Sequence, residues 1–432
     1  MPANLTFGVE IEFALATLPD IPGIQDPDPN DGRPVRNLHV IHPSDVGPDP
    51  DVNLYYPLSR LGPADVVRLN VAMKLREAGL RARPDIWPYS EEIGNWEHDR
   101  DLHYDRSAPE SKWTVQDDGT INDISDSAYV YERVELSSPA LWFCQESIDE
   151  IVRAIDVITS SFRVRCDQSC GLHIHVGPGG QRFSLDHMQK LFAFLWTFEE
   201  QISTLHSAER QRSPWTCPMR ISSWLANTGR FDANPAQFLA PGAPNPSVGV
   251  GQGQESIEGN SEMHTVDALT AIFNTTELAV TKGSFEVNKE NLVSIISPAE
   301  GNRLTYRTDL IARKDTKRTV EFRQHDGTFE RERIVTWIET VVRIVSFTRD
   351  VSRPVLVDFL IEQAIKEDRG HAVMPILDMF RAIGLEKQAG FYAARLRNED
   401  PQEASARRIA AHEHLLEVIQ SQRRLELLKG IR

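Results

Sequence analysis

Leu5-Thr6-Phe7-Gly8-Val9-Glu10-Ile11-Glu12-Phe13 alternates apolar residues with small or acidic ones. Successive side chains in a strand point to opposite faces, so this stretch reads as a strand with two unlike sides. Leu5, Phe7, Val9, Ile11 and Phe13 make an apolar side fit to cover helices. Glu10 and Glu12 project together from the other side. Four further segments repeat this design. In Val130–Ser137, Val134 and Leu136 oppose Tyr131, Arg133 and Glu135. In Leu172-His173-Ile174-His175-Val176 both histidines share the polar side. Val320-Glu321-Phe322-Arg323 sets Glu321 beside Arg323, and residues 303–310 set Arg303, Thr305 and Arg307 against Leu304, Tyr306 and Leu310. An antiparallel sheet tolerates such asymmetry, because one face can be left to solvent or ligand.

Between these strands lie helical patterns. Residues 63–79 begin at Pro63 and stop at Gly79. Residues 146–161 carry Ile148, Ile151, Ile155 and Ile158 on one face. Residues 184–206 begin at Ser184, an N-cap residue type, and run through Leu191, Leu195, Phe198 and Ile202. Residues 331–348 carry Ile334, Ile338, Val341 and Val345, and from Val351 onward the chain reads as all helix, with a last helix over 402–429. The expected fold is α+β: an antiparallel sheet with a polar face, helices on its other face, and an all-helical C-terminal region. Two segments read as insertions. Ten of the 26 prolines fall in 19–63, and 228–262 is rich in Gly, Pro, Gln and Asn, the composition of a surface loop or lid.

If the five polar sides meet, the site holds Glu10, Glu12, Glu135 and Glu321 with His173, His175, Arg303, Arg307 and Arg323. Four carboxylates on one small surface cannot all stay ionised uncompensated, since like charges raise one another's pKa. Divalent cations supply the compensation. An oxygen-rich set with an imidazole suits Mg²⁺ or Mn²⁺, while zinc prefers His and Cys. Arginines beside such metals fit a transferring phosphoryl group. The residues therefore read as a site for nucleotide phosphate and metal, with ATP and Mg²⁺ (or Mn²⁺) as the expected cofactors.

Four motifs occur in the order seen in the amidoligase family, carboxylate–amine ligases of the glutamine synthetase and glutamate–cysteine ligase superfamily. They are Phe7–Phe13, Val134-Glu135-Leu136-Ser137-Ser138-Pro139, Cys170–Val176 and Val320–Thr328, and the resemblance covers roughly residues 5–350. It implies a sheet curved around an ATP site, in a catalytic domain over 1–350 with a helical region over 351–432 packed on it. By motif, Glu10, Glu12 and Glu135 resemble metal ligands. His175 or His173 resembles the imidazole touching metal or ATP phosphate. Glu321 resembles the carboxylate of a second metal, and Arg323 the arginine that stabilises the phosphoryl group. Arg303 and Arg307 resemble upstream arginines that hold phosphate or acyl substrate. Asp117-Asp118-Gly119-Thr120 resembles an Asp-Gly-Ser/Thr motif whose carboxylate orients substrate; a tight hairpin turn is its other reading. The implied reaction joins a small-molecule or peptide carboxylate to an amine through an acyl phosphate.

Rival readings have residues of their own. Cys166, Cys170, His173 and His175 have spacing that could hold zinc in a hydrolase. Gln168-Ser169-Cys170-Gly171 could present a thiol nucleophile. A non-catalytic binding protein derived from a ligase would keep the fold without the reaction, and a related fold phosphorylates guanidino groups.

Composition narrows the partners. Lys+Arg number 47 against 63 Asp+Glu, a formal net charge of −16. Such a chain lacks the basic footprint for nucleic acid or an anionic membrane surface. The longest apolar run, near 191–198, falls far short of a membrane span of about 20 residues. Met1-Pro2-Ala3-Asn4-Leu5 has no signal-peptide character, and four cysteines are sparse for a disulfide framework, so the cytoplasm is the expected compartment.

Overall fold

The computed structural model describes residues 5–19, 21, 23–35, 61–85, 112–123, 128–227, 263–278, 291–298, 303–308, 311 and 318–398. The predicted loop 228–262, the predicted helix 402–429 and most of the 19–63 insertion lie outside them. Nine described strands in an open, mostly antiparallel sheet, together with helices, make the fold α+β, as the alternation predicts. The chain divides into two compact units, Met1–His175 with His325–Ile338, and Val176–Gln324 with Glu339–Arg432.

The first unit is built around β1 (Thr6–Thr17). Its strands run in the order β2 (Ala82–Pro84), β3 (Trp113–Gln116), β4 (Val130–Ser137), β1, β7 (Gly171–Gly177), while β5 (Leu141–Trp142) and β6 (Val164–Arg165) pair with β1. β2 and β3 are parallel; β3–β4 and β4–β1 are antiparallel. Phe7, Val9, Ile11 and Phe13 are all buried, with Val115, Val134 and Leu136 beside them in the core. Helix α1 (Pro63–Glu77) packs on β2, β3, β4 and on α2 (Gln145–Ser161). It starts at Pro63, where the Asp65 carboxylate accepts the Gly62 N–H at 2.9 Å, and ends before Gly79 at φ +82°. Left-handed backbone there is why the helix stops at a glycine.

The second unit centres on α3 (Leu185–Ser203), which is buried nearly all round. Ser184 caps it, its hydroxyl accepting the His187 N–H. Around α3 pack α5 (Met219–Ser222), α6 (Thr265–Asn274), α7 (Leu292–Ile296), α9 (Arg353–Asp368) and α10 (Ile376–Ala382). A helix buried on all sides must also place its charges inside. Lys190 does so by donating to the carbonyls of Arg349 (3.0 Å) and Val351 (2.9 Å) at the end of α8 (Arg331–Asp350), where cations favour the helix terminus. The short helix α4 (Ala208–Gln211), the helix α11 (Glu386–Asn398) and the antiparallel pair β8 (Tyr306–Arg307) and β9 (Val320–Asp326) complete the set. Of the strand expected over 303–310, residues 303–308 are described; among these Tyr306 and Arg307 pair with β9, and Leu304 bridges to Cys217. None of the described helices is long and apolar enough to cross a membrane.

Candidate functional site

Register turns the separate motifs of the first unit into one surface. Antiparallel partners directly opposite share a face. Gln116 of β3 lies opposite Glu135 of β4, and Glu135 lies opposite Glu12 of β1. Those three side chains form one rung. The next rung places Thr114, Ser137 and Glu10 in line. β7 flanks β1 on its other side and brings the two histidines.

The contacts follow from this layout. His175 Nε2 is 3.0 Å from Glu10 Oε1. His173 stands between both strand glutamates, Nδ1 3.4 Å from Glu10 Oε2 and Nε2 3.5 Å from Glu12 Oε1. The other oxygen of Glu12 accepts the Gly171 N–H at 2.6 Å. Glu135 accepts two hydrogen bonds on one oxygen, from Gln116 Nε2 and from the Ser137 hydroxyl at 2.9 Å. Asp118 comes from the turn after β3, where its Oδ1 accepts the Thr120 N–H at 2.6 Å. Glu12, Asp118 and Glu135 each offer an oxygen to a group within 4.8 Å of one another.

The electrostatics are those of crowded acids. Burial raises the Glu135 carboxyl well above its ordinary range; the charges of Glu10 and Glu12 add to this, and the Ser137 hydroxyl opposes it. Burial would raise Asp118 too, but hydrogen bonds from Thr120 and Glu135 and the neighbouring His173 pull it below its usual value. One carboxyl is thus favoured as an acid and its neighbour as a carboxylate. Opposite shifts of this kind are expected where several acids meet. An oxygen-only trio with an imidazole-lined neighbour has the donor chemistry of Mg²⁺ or Mn²⁺.

The remaining sequence-picked residues gather in the second unit. Glu321 and Arg323 are buried on one face of β9, where Arg323 Nη1 donates to Glu321 Oε1. Arg323 Nε also donates to the Trp215 carbonyl at 3.3 Å. Arg307, opposite Glu321 in the register, reaches its other oxygen at 3.8 Å. Arg303 stacks its guanidinium over the Trp215 ring, 4.7 Å from the centroid. So the four basic and acidic residues picked from the last two strands do form one group, tied through Trp215.

The structure does not assemble the zinc set. Among the described residues, no candidate metal group joins Cys166 and Cys170 to the histidines; His173 and His175 face Glu10 and Glu12 instead. Cys170 is buried, and its hydrogen bond with Cys166, together with that burial, pushes its thiol well above the ordinary range. A thiol held protonated is a poor nucleophile and a poor ligand. Gly327 explains the neighbouring turn. Its N–H donates to the Cys170 carbonyl at 2.9 Å, and a Cβ there would stand 2.6 Å from Cys170 Cβ. Gln116 and Ser137 were not singled out by sequence. Ser137 sits in the Val134–Pro139 motif beside Glu135, and Gln116 becomes visible only through the strand register.

Residues 69–223 match the family model described as "Putative amidoligase enzyme". That span includes Glu135, His173 and His175, the β4 and β7 part of the first unit's polar face. Over that stretch the chain is similar to the amidoligases, a class of amide-bond-forming ligases. No curated protein matched the chain.

Proposed function

We infer that the protein is an ATP-dependent carboxylate–amine ligase that works with Mg²⁺ or Mn²⁺. The observation that carries this reading is the trio Glu12, Asp118 and Glu135, two buried acids of the polar sheet face and one from the adjoining turn, whose oxygens lie within 4.8 Å of one another. Such a set is costly unless a proton or a cation compensates it. Glu12, Asp118 and Glu135 would hold one cation, with Glu10 and His175 offering donors beside them. When bound, the metal would neutralise triphosphate charge and leave the γ-phosphorus open to attack.

The proposed reaction has two steps. A substrate carboxylate oxygen attacks the γ-phosphorus of ATP, the bond to ADP breaks, and an acyl phosphate forms. A neutral amine then attacks the acyl carbon, loses its proton, and phosphate leaves as the amide forms. Arg323, already directed by Glu321, is the guanidinium assigned to the phosphoryl group, and Arg307 and Arg303 are assigned to phosphate or acyl substrate. Acidity elsewhere on the chain does not oppose ATP, because a bound cation would offset the proposed ligands.

Hydroxylamine trapping tests the reading. With ATP, Mg²⁺ and a broad pool of carboxylates, the protein should form a hydroxamate and release one ADP for each. Absence of both across the pool would falsify it, and a stable phosphorylated guanidino product would redirect it to the related phosphoryl transfer.

A further inference from the structure

The three acids of the trio share a structural habit. Each has one oxygen pinned by a donor from the chain. Glu12 Oε2 takes the Gly171 N–H at 2.6 Å, and Asp118 Oδ1 takes the Thr120 N–H at 2.6 Å. Backbone N–H groups supply those two contacts. Glu135 differs, since side chains supply both of its donors, and both converge on Oε1. Gln116 reaches it across the β3–β4 register, and Ser137 from two residues along the same strand.

We propose that Gln116 and Ser137 are positioning residues that fix the Glu135 carboxylate so that its second oxygen is presented, with Glu12 and Asp118, to a divalent cation. The inference rests on the cation part of the proposed function. Its physical basis is simple. A buried carboxylate held at one oxygen by two donors cannot turn without breaking both bonds. Without them Glu135 can rotate its second oxygen away from Glu12 and Asp118, with which it now forms one group. Outer hydrogen bonds of this kind typically alter metal affinity by about 10–100-fold.

The geometry gives no comparable role to Thr114, which occupies the next rung opposite Ser137. That position supplies a control on the same strand, two residues from Gln116.

The test is Mn²⁺ binding to the full chain, followed by electron paramagnetic resonance of free Mn²⁺, with the melting temperature of the metal-free protein read alongside. Gln116→Met keeps the length of the side chain and removes the donor. Ser137→Ala removes the hydroxyl, and Ser137→Thr keeps it. The expected result is Mn²⁺ affinity weakened roughly 10–100-fold in Gln116→Met and Ser137→Ala. Ser137→Thr and Thr114→Val should bind near the wild-type level, with metal-free melting temperatures little changed throughout. Wild-type affinity in both donor-deleted variants, alongside loss of binding in Glu135→Gln, would overturn the proposal. So would equal weakening in Ser137→Thr, because the hydroxyl would then not be the cause. If the wild type binds no Mn²⁺, this proposal and the cation part of the function fall together. If it binds Mn²⁺ with the expected pattern yet forms no hydroxamate, the ligase reading fails and the positioning roles stand.

Discussion

Two buried glutamates make the most instructive contrast in the molecule. Glu199, on α3 in the second unit, has each carboxylate oxygen satisfied by a backbone N–H, from Met219 at 2.8 Å and Arg220 at 2.9 Å. Glu135, on β4 in the first unit, takes the Gln116 and Ser137 donors on one oxygen and shares its surroundings with three other acids. Both carboxyls are raised by burial. Glu199 is pushed to about 7, with its two backbone hydrogen bonds opposing the shift. For Glu135 the charges of Glu10 and Glu12 reinforce burial. A buried acid that serves structure is closed by the chain's own donors. A buried acid that stands among like charges is arranged for something the chain does not itself provide.

Breaking the crowded set should have the largest effect. Glu12→Ala removes a member of the trio and the acceptor for Gly171. Amide formation should fall about a hundred- to a thousandfold, the scale for losing a key electrostatic group, while circular dichroism stays native. Near wild-type turnover would break the assignment.

Next comes the response of stability to cations. Millimolar Mn²⁺ should raise the melting temperature of the wild type, since a ligand that binds only the folded state stabilises it by about 2.7 kcal/mol at 100 times Kd. The rise should vanish in Glu12→Ala and persist in Glu199→Gln. An equal rise in both variants would place the cation elsewhere.

Glu199 itself predicts a pH effect of similar size. Its folded pKa, about 7, lies above the ordinary value of 4.5. The stability it confers is therefore fully present below about pH 4.5 and is lost as pH rises through about 7. The shift corresponds to about 3 kcal/mol at most. Glu199→Gln should flatten the dependence of unfolding free energy on pH between 5 and 8. An unchanged slope would show that the carboxyl is not buried as described.

The smallest effect expected is at the Cys170 turn. Gly327→Ala must push a Cβ against Cys170, and should cost about 1–3 kcal/mol of stability by chemical denaturation. Cys166→Ser, by contrast, should leave activity near wild type, because neither cysteine belongs to the candidate metal groups among the described residues. Loss of activity with loss of bound zinc in that variant would revive the hydrolase reading.

Much of this was legible in the sequence because strands have period two. Alternation alone placed Glu10 and Glu12 on one face, His173 and His175 on one face, and Glu321 beside Arg323. Register was not legible, since nothing local says which residue of one strand meets which of the next. Gln116 was therefore invisible, although it stands directly opposite Glu135. The Asp118-Gly119-Thr120 turn could be read as substrate-orienting or merely as a turn; only its approach to Glu12 and Glu135 gives the carboxylate a place. Helix α3 shows a different limit. Its apolar stripe is plain in the sequence, but the burial of Lys190 and Glu199 is a tertiary fact. The division of the chain also left no compositional mark, because it falls inside β7 and β9 and not in a linker.

The most direct test of the central claim is ADP release by the full-length protein, with hydroxylamine and pooled carboxylates, measured with and without Mg²⁺ for the wild type and for Glu12→Gln. The account predicts ADP and hydroxamate in equal amounts for the wild type, only with the cation, and neither for Glu12→Gln. Equal turnover in Glu12→Gln, or wild-type turnover that survives complete removal of divalent cations, would contradict it.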